Sequence, residues 1–382
     1  MLMSGGSSVT PIGFRRSEHA PNVLAGTRAI DLGRTADGML AMRALSVAAT
    51  LAALGRMSEQ VRGADVILAR NLEMLAIAVC ARHLYAADAP IVYECLDIHR
   101  LLLANNVQGR LIRSIESRLW KSVDLLLTSS EAFARNYFEP RRFPAPIRTV
   151  ENKVLLPENA DSSIIMRPPP GPPWRIGWFG IIRCRQSLKV LSAVARAAGG
   201  AVEVIIRGRP SAATFADFAS AVAGLPHVRF AGPYRNPDEL PAIHSDVHFI
   251  WAIDYYESGQ NSAWLLPNRI YEGSLYGGVP IAVADVETGN WLTKHGLGVV
   301  LADPLEERLA ELLLRLDAGG YSQLADRVAA LPRRTLVCDQ TECRELVEAM
   351  WRCRAADQPR APREQPRHAW FARAKARTAR LG

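Results

Sequence analysis

From residue 64 onward the chain alternates short apolar runs with amphipathic stretches, and one proline-rich segment, residues 164–173 (IIMRPPPGPP), breaks that alternation in the middle. Neither a helix nor a central strand tolerates so many prolines, because each one fixes φ and removes a backbone N–H. Before the break, 64–69 (ADVILA), 90–94 (PIVYE) and 123–127 (VDLLL) read as strands. Residues 71–83 and 110–121 read as helices, and Thr128-Ser129-Ser130-Glu131 reads as a helix start, with a hydroxyl cap and an acid in the first turn. After the break the pattern restarts. Strands are expected at 175–179, 202–207, 228–231, 247–253 and 279–283, with helices at 186–198, 212–223, 237–244 and 268–276. The strands are too continuously apolar to have a wet face, so each set predicts a parallel sheet covered by helices on both sides.

The fold class is therefore α/β, with two Rossmann-like doubly wound domains facing each other across a cleft. A chain of 382 residues, 49% of them hydrophobic, is also too long for one ordinary core. The expected layout is a first domain over 1–163, a linker over 164–173, a second domain over 174–356, and a basic, unfolded tail over 357–382. In such a pair, ligands sit between the carboxyl ends of the two sheets.

Several function classes lose support. No GxGxxG follows a strand and no GxxxxGK[ST] occurs, which argues against a dinucleotide oxidoreductase and a P-loop nucleotidase. Six cysteines without a CxxC pair give no zinc or redox motif. The net charge is +8, but seven basic residues against Asp357 and Glu364 put +5 of it in the tail. The nearly balanced folded part argues against nucleic acid as a partner. In the tail, Trp370 and Phe371 lie beside a run of cations, a composition suited to an anionic membrane surface. The apolar runs are short of the ~20 residues that span a bilayer and no signal peptide is evident, so a cytoplasmic location is expected, peripheral on the inner face of the plasma membrane.

No DxD is present to hold a divalent cation on a diphosphate, so no metal and no cofactor are expected. A diphosphate would instead need cations and helix N-termini. Arg183, Arg185 and Lys189 cluster where the strand at 175–179 gives way to its helix. Thr288, Gly289 and Asn290 follow the strand at 279–283, where a helix start offers free backbone N–H groups.

At this point the chain resembles a known family, the GT-B glycosyltransferases of group 1 (family 4-like), and within it the enzymes of exopolysaccharide assembly of the succinoglycan type. RIGWFGIIRCRQSLKVL, PNRIYEGSLYGGVPIAVAD and ETGNWLTKHGLGVVL carry the resemblance in the second half; ADVILARNLEMLAIA, IVYECLDIHRLLL and DLLLTSSEAFARNYF carry it in the first. The resemblance implies that Glu272 accepts hydrogen bonds from the two ribose hydroxyls of the donor, which suits a carboxylate with two acceptor oxygens. Asn268 opens the same helix, and Gly278 beyond it is expected to leave room for the base or ribose. Family members often carry a second glutamate eight positions before the ribose-binding one, where this chain has Trp264; Glu257, Asn261 and Ser262 are the alternatives for holding the sugar. In the first domain, Asp97 is expected as general base on the acceptor and His99 as a donor to the departing sugar. MLMSGGSSVTPIGFRR leads straight into what resembles the family's second strand, so the first βα unit is expected to be missing.

The function implied is transfer of a hexose from a nucleotide-diphosphate sugar, UDP-linked, to a lipid-linked or growing oligosaccharide. A non-catalytic relative that serves in binding or assembly stays open as an alternative, and so, with less support, does a GT-B sugar-nucleotide epimerase.

Overall fold

A computed structural model describes residues 1–15, 23–24, 27–35, 40–86, 88–156 and 167–355. Residues 164–166 of the proline-rich segment and the whole basic tail over 357–382 lie outside the described residues.

The first domain carries a four-stranded parallel sheet, in spatial order Ile67–Arg70, Ile91–Cys95, Leu125–Thr128 and Ile147–Thr149. Its strands follow one another across the sheet without a reversal. Helices Asn71–Tyr85 and Val107–Trp120 cover it, and an aromatic core of Tyr93, Trp120, Phe133, Tyr137 and Phe138 fills the space beneath the second of these. Trp120 meets Phe143 edge-on at 5.1 Å and lies tilted against Phe138 at 5.5 Å, so large rings do most of the packing.

The second domain is a six-stranded parallel sheet in spatial order Val228–Phe230, Val202–Pro210, Trp174–Ile182, Phe249–Trp251, Val279–Val283 and Val299–Leu301. The chain builds outward from Trp174–Ile182 on one side, then returns to build outward on the other. That reversal places a switch point between Trp174–Ile182 and Phe249–Trp251, the position at which open α/β sheets form a crevice. At the carboxyl end of this sheet, Gly180 (φ +111°) and Gly208 (φ +140°) face each other; a Cβ on Gly208 would sit 1.8 Å from the Gly180 carbonyl oxygen, so only glycine fits.

The two halves are bound together by residues 337–355. Val154–Leu155 pairs in parallel with Val337–Cys338, and helix Gln340–Ala355 then returns to the first domain, where Leu346 and Met350 pack on Val92, Leu125 and Leu127. Lys153 and Glu342 form an ion pair at 2.9 Å beside this crossing. By packing, the closing helix thus belongs with the first sheet, although the sequence pattern runs the second domain to residue 356.

The stretch before Ile67 is not bare. Ile12–Arg15 and Ile30–Arg34 form a two-stranded parallel sheet apart from the main one, followed by helix Leu40–Ala52. Ile12, Phe14, Leu32, Val47 and Leu51 pack on Met57, Val61 and Ile77. The main sheet does begin at Ile67, but strand and helix elements precede it and share its core.

Candidate active site

Between the carboxyl ends of the two sheets lies a cleft of about 350 Å3, with Leu96, Asp97, Ser129 and Asn152 on the first-domain wall and Gly180, Arg183, Tyr234, Asn236, Asp254, Asn268, Arg269 and Glu272 on the other. Four of the residues expected from the sequence, Asp97, Arg183, Asn268 and Glu272, meet here.

Glu272 sits on helix Asn268–Leu275, which starts directly after Pro267 and runs against Phe249–Trp251 and Val279–Val283. Asn236 donates from Nδ2 to Glu272 Oε1 at 3.2 Å, which fixes the carboxylate in its rotamer. Burial raises the Glu272 pKa, against the opposing Asn236 hydrogen bond and the Arg269 charge. A half-buried carboxylate held from one side by a neutral amide has acceptor capacity to spare for a pair of hydroxyls.

Around the switch point, charge is arranged in a cluster. Asp254, just beyond Phe249–Trp251, accepts from the Tyr256 N–H at 2.8 Å and from Ser262 Oγ at 3.1 Å, and pairs with Arg183 Nη2 at 3.2 Å. Burial works to raise the Asp254 pKa, but Arg269, the Tyr256 N–H and Arg183 outweigh it and hold the carboxyl below its ordinary range. Arg269 donates to the carbonyls of Trp251 (3.0 Å) and Ile253 (3.4 Å), so it closes the end of that strand while adding positive charge to the cleft. Tyr256 lies under the Arg183 guanidinium at 4.6 Å. Asp254, Arg269, Asn236 and Tyr234 were not singled out from the sequence. The signal available for Asp254 and Arg269 was position alone, at and just after the carboxyl end of a strand beside the switch point.

The other expected cations turn away. Arg185 bonds the Thr214 carbonyl and lies over the Phe215 ring at 5.1 Å, and Lys189 is exposed on the next turn without lining the cleft. The start of helix Arg185–Ala197 is instead capped by the Cys184 thiol, which accepts from Ser187 N at 3.3 Å. Gly278 also has a packing role in place of the expected space for a ligand: a Cβ there would be 2.6 Å from Ile250 Cγ1. Gly289 lies against strand Val279–Val283, where a Cβ would be 2.2 Å from the Val283 carbonyl, and Thr288 is buried and donates to the Leu265 carbonyl at 3.1 Å. Asn290 faces a separate crevice of about 200 Å3 with Arg135, Glu287 and Lys294.

On the first-domain wall Asp97 is exposed to the cleft, and Asn261 Nδ2 of the second domain donates to its Oδ1 at 3.2 Å. Asn261 is itself buried and takes the Ile98 N–H at 3.1 Å, so its role is to join the domains. Glu257 faces the same region; burial and the Asp97 charge raise its pKa. Ser262 accepts from the Glu257 N–H at 2.9 Å. His99 caps helix Arg100–Leu103, its Nδ1 accepting from Leu101 N at 3.3 Å, a contact that orients the ring. Trp264 belongs to the domain contact: its ring meets Phe133 edge-on at 6.4 Å and its carbonyl accepts from Ser130 Oγ at 2.6 Å. Among the described residues no group of three or more His, Cys, Asp and Glu side chains could hold a metal ion, and no helix is long and apolar enough to cross a membrane.

No family model matches the chain. It is 46% identical over 354 residues to the succinoglycan biosynthesis protein ExoL of Rhizobium meliloti (strain 1021), covering 91% of this chain and 88% of that one. In fold it is similar to HepE (Alr3699) of Anabaena in complex with UDP, with a TM-score of 0.61 at 13% identity over 85% of this chain and 86% of that one. Sucrose-phosphate synthase from Thermosynechococcus elongatus gives a TM-score of 0.65 at 14% identity over 93% and 91% of the two chains. WaaG, a glycosyltransferase involved in lipopolysaccharide biosynthesis, gives 0.55 at 14% identity over 88% and 90%. The chain belongs to the family of the succinoglycan biosynthesis protein ExoL and is built on the two-domain GT-B fold of glycosyltransferases.

Proposed function

We propose that this member of an exopolysaccharide-biosynthesis family transfers a hexose from a UDP-sugar to a lipid-linked or growing oligosaccharide. The observation that carries the reading is the opposition of Glu272, held by Asn236 on one wall, and Asp97, exposed on the other, across a cleft at the switch point of the second sheet. UDP as the nucleotide is supported by the fold shared with HepE, whose structures hold UDP and UDP-glucose.

In this reading Glu272 takes the ribose hydroxyls, and Arg183, with Arg269 behind it, faces the diphosphate. The acceptor oxygen forms a bond to the anomeric carbon as the bond from that carbon to the UDP oxygen breaks, and the electron pair leaves with UDP. The proton released by the acceptor passes to a carboxylate, for which Asp97 is the candidate, with Glu257 beside it. Positive charge at Arg183 offsets the charge that develops on the leaving diphosphate.

Purified protein incubated with UDP-hexoses should release UDP slowly without acceptor and faster with a lipid-linked oligosaccharide extract. Tight UDP binding with no turnover on any UDP-hexose would instead assign the chain to the binding and assembly role.

A further inference from the structure

Arg183 and Asp254 are brought together by the sheet itself. Each lies just beyond the carboxyl end of its strand, Trp174–Ile182 and Phe249–Trp251, and these strands are paired neighbours at the switch point. The two carboxylate oxygens of Asp254 have separate tasks. Oδ1 accepts from the Tyr256 N–H at 2.8 Å and from Ser262 Oγ at 3.1 Å, so it holds its own loop. Oδ2 accepts from Arg183 Nη2 at 3.2 Å. The partners differ in freedom: the Asp254 side chain is 10% exposed and that of Arg183 is 41% exposed. Arg183 has room to turn to another anion in the cleft, while Asp254 stays fixed by its loop.

Two further contacts shape the pair. The Tyr256 ring lies 4.6 Å from the Arg183 guanidinium, a support that does not depend on one hydrogen-bond direction and so persists when the guanidinium turns. Arg269, anchored on the Trp251 and Ile253 carbonyls, adds a second positive charge, so two guanidinium groups act on one carboxylate.

We propose that Asp254 is the internal counter-ion that the donor's diphosphate displaces from Arg183, and that by taking Arg183 back it promotes departure of the nucleoside diphosphate product. This role presupposes that Arg183 faces the diphosphate, as in the function proposed above. A guanidinium offers a phosphate oxygen the same N–H groups that it offers a carboxylate, so the two anions compete for it. Asp254 cannot follow Arg183, and its charge stays close to the bound diphosphate in a partly desolvated cleft, where like charges repel more than in water. Both effects hold UDP affinity below what Arg183 and Arg269 alone would give. Asp254 itself is a positioning residue, since it sets how firmly Arg183 grips the diphosphate without touching it.

The test compares UDP and uridine binding to the full chain by titration and stopped flow. Asp254→Asn keeps an oxygen for the Tyr256 N–H and the Ser262 hydroxyl, and turns an amide N–H in place of Oδ2 toward Arg183. It should bind UDP about tenfold more tightly than wild type and release it about tenfold more slowly, with uridine affinity unchanged. Asp254→Ser, which also keeps an acceptor for the loop and removes the charge, should show the same gain. With Arg183→Ala already in place, Asp254→Asn should change UDP affinity by about threefold or less, because the competition has lost its object. UDP binding that is weaker or unchanged in both Asp254 variants would overturn the proposal, and so would an equal gain with and without Arg183. If wild type binds no UDP, or Arg183→Ala binds it equally well, the diphosphate reading falls and the counter-ion role with it. If those two proteins behave as expected and only the Asp254 variants do not, the reading stands and the counter-ion role alone is lost.

Discussion

Asn261 of the second domain reaches across the cleft to Asp97 of the first, donating to its carboxylate at 3.2 Å while its own carbonyl takes the Ile98 N–H at 3.1 Å. One buried side chain thus satisfies two groups on the opposite domain. Asn261→Ala should favour the open arrangement by about 1–3 kcal/mol, since a charge-assisted and a neutral hydrogen bond are exchanged for water. Small-angle scattering of the unliganded variant should show a larger radius of gyration than wild type. Identical profiles would show that other contacts between the domains, such as Ser130 to the Trp264 carbonyl, set the closure on their own.

Glu272→Gln keeps size and helix propensity and keeps an oxygen for Asn236, but removes the charge. UDP affinity should fall by ~2–4 kcal/mol, taking each charge-assisted hydroxyl bond at ~1.5–3 and allowing the amide oxygen part of the loss. Wild type should prefer UDP to 2′-deoxy-UDP, and the variant should distinguish them much less; equal discrimination by both proteins would remove Glu272 from the ribose. The pH dependence has a definite sign. Only the ionised carboxylate accepts from both hydroxyls, and burial raises its pKa, so wild-type affinity should drop on acidification earlier than an ordinary glutamate would give. The variant should stay flat over the same range.

Arg183 and Lys189 look alike in the sequence, six positions apart after the same strand, but only Arg183 lines the cleft. Arg183→Ala should weaken UDP binding by ~1.5–3 kcal/mol, with Arg269 left to balance Asp254. Lys189→Ala should leave it within error. Calorimetric titration of both variants checks the contrast, and a loss at Lys189 equal to that at Arg183 would mean that the loop at 183–185 rearranges around the diphosphate.

The contrast also shows what was legible beforehand. The expected helix at 268–276 and strand at 279–283 match Asn268–Leu275 and Val279–Val283 because a glycine pair and a continuous apolar run mark them locally. The expected residues that line the cleft, Asp97, Arg183, Asn268 and Glu272, lie at or just beyond carboxyl ends of strands or on a marked helix. Arg185 and Lys189 do not line the cleft, because a helix start fixes which residues are near an edge while the direction of each side chain depends on local partners, which for Arg185 are Thr214 and Phe215. Asn236 could not be found from local pattern, since its contact with Glu272 spans 36 residues. The elements before Ile67 are not legible for a related reason: Ile12–Arg15 and Ile30–Arg34 are short, interrupted by glycine and arginine, and among the described residues pair with each other, apart from the main sheet. The return of helix Gln340–Ala355 to the first domain is likewise a long-range packing choice, carried by Leu346 and Met350.

Glu116 offers a stability test that is separate from the site. It is fully buried on helix Val107–Trp120 and accepts from Tyr137 OH at 2.6 Å and Tyr93 OH at 3.4 Å. Burial pushes its pKa up to about 7, against the hydrogen bonds from both tyrosines and the charges of Arg141 and Arg113. The folded state then holds a proton that the unfolded chain releases near the ordinary glutamate value. Because the folded pKa is the higher one, stability is fully present below the unfolded pKa, falls as pH rises between the two values, and levels off above about 7. The separation of the two values corresponds to a loss of about 3 kcal/mol across that window. Glu116→Gln carries no titrating proton, and its amide oxygen still accepts from Tyr137. Urea unfolding should therefore find the variant close to wild type at pH 4.5 and more stable by about 2–3 kcal/mol at pH 8. A gap between the two proteins that does not change with pH would show that Glu116 titrates in the folded protein as it does in the unfolded chain.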